Sequence, residues 1–147
     1  MKPTLIYRHR RENLAKCSLT PLMGRPDFCF FTYPLDPLPN LAGYIALQVG
    51  APPLTAADAG FGLFLIDATW RLASVMQKSC PLIETRSLPA SFCTAYPRRQ
   101  TDCPDPSTGL ASIEAIYLAY LILGRPVEGL LENYYWKEQF LRCNNLL

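Results

Sequence analysis

Residues 61–70 read Phe61-Gly62-Leu63-Phe64-Leu65-Ile66-Asp67-Ala68-Thr69-Trp70. Phe61, Leu63, Phe64, Leu65 and Ile66 make a short apolar run that stops abruptly at a carboxylate. A run of this length, apolar at nearly every position, reads as a strand buried on both faces, as in a parallel sheet. Asp67 then stands at the carboxyl end of that strand, where open α/β sheets place their ligands. From Trp70 onward, Leu72, Ala73, Val75 and Met76 suit a helix leaving the same edge. Asp67 and Trp70 are therefore both expected to face the crevice. The plainer alternative has Asp67 capping the helix and Trp70 in the core.

The flanking segments extend this pattern. Thr4–Tyr7 and Phe28–Tyr33 read as strands, the second closed by Pro34. The connection between them is longer than the dozen residues a parallel crossover needs. Pro34–Asn40 is a proline-rich loop, Gly43–Val49 a third strand candidate, and Thr55–Gly60 a brief helical turn. Four apolar strands joined by crossovers indicate an α/β layer with a largely parallel sheet. Leu82–Leu88 fits a further strand or an extended segment, and periodicity does not choose between them. Pro97–Ser107 is polar and reads as a surface loop. Leu110–Leu123 is apolar nearly all round, the signature of a buried helix, and Gly124 ends it. Pro126 is expected to open another helix, with Val127, Leu130, Leu131, Tyr134 and Tyr135 along one face. The chain thus divides into a sheet part, 1–91, and a helical part, 92–147.

The chain has 147 residues, enough for an independent core, with 50% hydrophobic and 18% charged residues, which excludes a disordered polymer. Apolar runs are too short for a membrane span, so no membrane partner is expected. The start of the chain lacks a secretory signal pattern, and the expected location is cytoplasmic. Six cysteines, Cys17, Cys29, Cys80, Cys93, Cys103 and Cys143, are scattered, and His9 is the single histidine. No metal site is expected from that spacing, and reduced thiols are the default, with Cys29 and Cys93 as small core residues. The formal net charge is only +2. Lys2, Arg8, Arg10, Arg11 and Lys16 nevertheless crowd the start of the chain, and Arg98-Arg99 form a second pair. Such clusters can neutralise RNA phosphates, or simply be solvated. Gly-rich phosphate loops, serine elbows and histidine triads are absent, which leaves hydrolase readings without support.

Several short elements, taken in order, resemble one family. Asp67-Ala68-Thr69-Trp70 is similar to the D-x-T-W signature of the DTW-domain RNA aminocarboxypropyltransferases. Lys16-Cys17-Ser18-Leu19 resembles an element near the start of the relatives that modify ribosomal RNA. Leu54-Thr55-Ala56-Ala57-Asp58 resembles their Leu-Ser-Pro-Ala-Asp segment, and Ser112-Ile113-Glu114-Ala115 their Thr-x-Glu-Ala helix start. Tyr135-Trp136-Lys137-Glu138-Gln139-Phe140-Leu141 is similar to the closing Trp-Gly-x-x-Phe-Leu motif, with Asn144 at its terminal Asn. Departures occur as well. Ala68 and Thr69 side with the transfer-RNA branch, Lys16-Cys17-Ser18 and Trp136–Phe140 with the ribosomal branch. Tyr96-Pro97 replaces an Asn-Pro element, and the loop Thr101–Pro106 is unlike either.

The resemblance implies a SPOUT-like α/β fold with a knotted chain and a helical C-terminal part, with S-adenosylmethionine bound between them. The donor would pass its 3-amino-3-carboxypropyl arm to a uridine-type base of ribosomal or transfer RNA. Carried over by position, Pro34 and Trp70 lie on one face of the adenine, with Leu110 and Ala115 on the other. The backbone of Ile66 holds the ribose, and the adenine edge meets the chain near Cys93. Ser18 and Ser112 orient the amino-acid arm, Trp70 and Ala73 enclose the methyl group, and Thr32 is a further cofactor contact. Asp67 acts as general base toward the acceptor nitrogen or as counter-charge to the donor's ammonium group. Arg8, Arg10, Arg11, Lys16, Arg98 and Arg99 are the candidate RNA contacts. An RNA methyltransferase and a non-catalytic RNA-binding assembly factor are the rival readings, and a monomer is favoured.

Overall fold

Strands come first because the β-branched and aromatic runs alternate sides on a pleated surface and can bury both. A computed structural model describes residues 2–11, 18–96 and 110–147, with Trp70 described in its backbone. Strands β1 (Thr4–His9), β2 (Phe28–Tyr33), β3 (Tyr44–Leu47), β4 (Gly62–Asp67) and β5 (Glu84–Arg86) form one sheet in the order β2-β1-β4-β3-β5. Every pairing is parallel. Helix α1 (Trp70–Lys78) follows β4, while α2 (Ser112–Leu123) and α3 (Lys137–Cys143) follow β5.

Alternation along the strands feeds two apolar clusters. Ile6, Phe28, Ile45 and Leu63 pack with Ile116, Leu118, Tyr120 and Phe140. Leu5, Tyr7 and Phe64 pack on the other side with Met76 of α1. Gly62 is required where it stands, because a Cβ there would lie 2.4 Å from the Tyr44 ring. The register pairs Arg8 with Asp67 across β1 and β4, and Arg8 with Thr32 across β1 and β2. From β1 the chain leaves toward β2, on one side. From β4 it leaves toward β5, on the other. The carboxyl ends of β1 and β4 therefore flank the topological switch point, the crevice where parallel sheets bind ligands.

Differences from the sequence reading have physical causes. β1 continues two residues past Tyr7, because Arg8 and His9 pair with Thr32 and Tyr33 of β2. Of the two readings of Leu82–Leu88, the strand holds, over Glu84–Arg86 as the edge strand β5. The cap position of α1 belongs to Thr69, so the reading of Asp67 as its cap is corrected. Gly124 does end α2, in the left-handed region. The helix expected from Pro126 does not form. Residues 128–136 instead make successive turns, with Glu132 N–H donating to the Gly129 carbonyl and Lys137 N–H to the Tyr134 carbonyl. Gly129 has φ +79°, a conformation that ends helical propagation. Leu130, Leu131 and Tyr134 are buried all the same, whereas Tyr135 is 82% exposed. The loop read over residues 97–107 lies outside the described residues.

Candidate functional site

Asp67 ends β4 with its side chain on the α2 side of the sheet. One carboxylate oxygen accepts a hydrogen bond from the Ser112 hydroxyl at 2.8 Å, and the other lies 3.4 Å from Arg8 Nε. The two charged side chains are only 5% and 11% exposed. Removing an ion pair so far from water is costly, so its partners must be good. The Arg8 guanidinium also stacks over the Phe30 ring, 4.8 Å from its centroid, and one nitrogen approaches Met23 Sδ at 3.6 Å. A strand residue, its register partner and a helix-start hydroxyl thus form one buried polar group at the switch point.

The start of α2 is held there by Glu114, which is fully buried. Its carboxylate accepts from Thr94 Oγ1 at 2.6 Å, Ala95 N–H at 2.9 Å, Ala111 N–H at 2.8 Å and the Tyr134 hydroxyl at 3.0 Å. Glu114 therefore ties residues 94–95 and the turn at Tyr134 to the helix that carries Ser112. An acid at the third position of a helix also satisfies an otherwise orphaned N-terminal donor. Asn144 makes a comparable clamp. Its side-chain amide accepts from Cys93 N–H at 2.8 Å and donates to the Cys93 carbonyl at 2.8 Å.

The remaining expected site residues fall into groups. Thr32 and Pro34 follow Arg8 across the sheet edge: Thr32 N–H donates to Asp36 Oδ2 at 2.9 Å, and Pro34 is exposed after a cis Tyr33–Pro34 peptide. Ile66 and Ala73 share the α1 side, where they line a cavity of about 250 Å³ with Phe64, Ala46 and Ile83. Leu110 packs on the α2-side cluster, Ala115 is half-buried one turn from Ser112, and Ser18 is half-buried beside buried Leu19. Cys93 is half-buried, not core, and both its backbone groups are engaged by Asn144. Cys29 is likewise only half-buried. Arg8 is corrected from exposed RNA contact to buried partner of Asp67, since β1 carries it into the sheet. Arg10 and Arg11 are exposed. Lys16, Arg98 and Arg99 lie outside the described residues, as does the side chain of Trp70.

His9 sits one residue beyond Arg8 and packs against Tyr33, ring centroids 5.4 Å apart. Burial first, and then the charges of Arg11 and Arg10, lower its pKa below the usual 6.5. The imidazole is thus neutral at pH 7, and Nδ1 accepts from Arg11 N–H at 3.1 Å. Among the described residues no group of three or more His, Cys, Asp or Glu is placed to hold a metal ion. No helix among them is long and apolar enough to cross a membrane.

Sequence reasoning left Glu114 and Asn144 without roles, although both lie in quoted motifs. The available signal was an acid at the third position of a helix otherwise apolar all round. No local signal could show that Arg8 faces Asp67, because register is a property of paired strands.

These features define an all-parallel α/β protein with a buried, charged site at its switch point. Its fold is similar to that of the SAM-dependent rRNA:acp-transferase Tsr3 from Vulcanisaeta distributa, with a TM-score of 0.73 and 25% sequence identity. The match covers 99% of this chain and 80% of that one. No protein-family model matches the sequence, and no curated protein matches it.

Proposed function

We propose that this protein is an S-adenosylmethionine-dependent transferase that moves the 3-amino-3-carboxypropyl group to a uridine or pseudouridine of RNA. The observation that carries the reading is the Arg8–Asp67–Ser112 group at the switch point of a fold shared with a SAM-dependent rRNA:acp-transferase. Ribosomal RNA is the substrate the neighbour favours; transfer RNA is the alternative that Ala68 and Thr69 suggest. The residues present fit such a donor. Its amino-acid end is zwitterionic, and the site offers a carboxylate, a guanidinium and a hydroxyl. Of its apolar parts, only the methyl group is proposed to reach Ala73, which lines the cavity on the α1 side.

Bound there, the donor supplies a sulfonium whose arm carbons are open to nucleophilic attack. Held by Asp67 and Ser112, it would offer its γ-carbon to the acceptor nitrogen, with the sulfur and its C–S electron pair as the leaving group. Trp70 and Ala73 are proposed to enclose the methyl group, so that only the longer arm faces the acceptor. A cationic sulfur also favours an aromatic neighbour such as Trp70. Asp67 is proposed to take the proton from the acceptor nitrogen, with counter-charge to the donor's ammonium group as its other role. Both roles need a carboxylate held in place, which Arg8 and Ser112 provide. Pro34, Leu110 and Ala115 are proposed around the adenine, Ile66 at the ribose, and Ser18, Ser112 and Thr32 about the amino-acid arm. Arg10, Arg11, Lys16, Arg98 and Arg99 are proposed toward RNA, and the adenine edge near Cys93. The same proposal includes the DTW and SPOUT kinship, the knotted connection, the division at 91/92, a monomer and a cytoplasmic setting.

Incubating the protein with donor and separated ribosomal and transfer RNA, followed by nucleoside mass spectrometry, tests the reading. An added aminocarboxypropyl mass supports it. An added methyl mass, or an unmodified pool despite donor binding by calorimetry, rejects it.

A further inference from the structure

We infer that Cys93 and Cys143 are an oxidation site, a dithiol that closes to an intramolecular disulfide on exposure to glutathione disulfide. Each thiol rests against the other residue's backbone. Cys93 Sγ lies 3.2 Å from the Cys143 carbonyl oxygen, and Cys143 Sγ lies 3.6 Å from the Cys93 carbonyl oxygen. What holds the two together is not sulfur. The Asn144 side chain bonds the Cys93 N–H and carbonyl at 2.8 Å each, and its amide nitrogen also donates to the Phe140 carbonyl at 3.0 Å. The end of α3 and the segment around Cys93 are thereby fixed side by side across 50 residues of sequence. Pairing requires the two side chains to rotate so that sulfur meets sulfur.

Access and isolation favour this pair over the other described thiols. Cys143 is exposed and Cys93 half-buried. Cys29 and Cys80 lie against the α1-side cluster. In the reaction, one thiolate attacks a glutathione sulfur, forming a mixed disulfide and releasing one glutathione thiolate. The second thiol loses its proton to solvent and attacks the protein sulfur of that mixed disulfide, releasing the second glutathione. Two protein thiols are oxidised and one glutathione disulfide is reduced. Prior fixation gives the second step a high effective concentration. Burial, followed by the neighbouring Cys93 thiol, pushes the Cys143 pKa up to about 11, so closure should accelerate with rising pH.

The test uses the full chain treated with glutathione disulfide, then alkylated and mapped without reduction. We expect one cross-linked peptide pair, Cys93 to Cys143, and a protein lighter by two hydrogens. We also expect Cys143→Ser to leave Cys93 alkylated or glutathionylated, and Cys93→Ser to do the same for Cys143. Closure should run several-fold faster at about pH 9 than at about pH 7. The inference is overturned if both cysteines of the wild type remain alkylatable, carry only glutathione, or link to other cysteines. None of these outcomes depends on donor or RNA, so the inference stands or falls apart from the proposed activity.

Discussion

Toward α2 the strands present Ile6, Leu63 and Leu65, then finish in Arg8 and Asp67; toward α1 they present Leu5, Tyr7, Phe64 and Ile66. The first face is closed by a polar network, Arg8–Asp67–Ser112, locked from behind by Glu114. The second is apolar and leaves a cavity of about 250 Å³ under Ile66 and Ala73. One strand residue separates the two environments, because successive side chains point to opposite faces. The donor proposed above would set its charged arm against the first and its methyl group against Ala73, reaching past the carboxyl end of β4.

The largest way to break this contrast is Glu114→Ala. Four donors lose their acceptor, two of them (Ala111 N–H and the Tyr134 hydroxyl) in buried bonds and two in part-buried ones, and buried orphans cost roughly 1–3 kcal/mol each before relaxation. A net loss of roughly 4 kcal/mol is expected, read as a lower urea midpoint. Next comes Asp67→Asn, which preserves shape and removes the charge. RNA modification should fall at least about a hundredfold while donor binding by calorimetry persists. Unchanged turnover would remove Asp67 from the chemistry.

The apolar face should answer differently. Ala73→Leu puts a larger side chain into the cavity, so donor affinity should drop about tenfold, near the value of a misplaced apolar contact. Its melting temperature should stay close to wild type. An equal loss of stability and affinity would show that the cavity is packing and not a ligand space. The smallest effect concerns His9. Its folded pKa lies below its unfolded 6.5, so its contribution is complete above that value and is lost as pH falls through the folded one. Stability should thus decline modestly on acidification below about pH 6.5, and His9→Gln should flatten that slope in denaturant titrations.

How much could be read in advance varied with the range of the interactions involved. β2 and the end of β4 match the residues expected from their apolar runs, and α2 lies within its predicted span. Local rules sufficed there, since a continuous apolar run can be satisfied only by burial on both sides. Residues 126–135 show the reverse case. The apolar spacing of Val127, Leu130, Leu131 and Tyr134 was helical, yet Gly129 takes φ +79° and turns deliver Leu130, Leu131 and Tyr134 to the core. Periodicity records which residues need burial, not which backbone path buries them.

From the sequence alone came the parallel α/β class, the place of Asp67 at a strand's carboxyl end, and a buried helix beginning near Ser112. Those follow from residue chemistry within a few positions of one another. Only the tertiary structure set Arg8 against Asp67, Ser112 on the same carboxylate, Glu114 at the junction of three segments, and Cys93 beside Cys143. Each of these joins residues tens of positions apart, and strand register and helix docking, which no local pattern encodes, decide which of them meet.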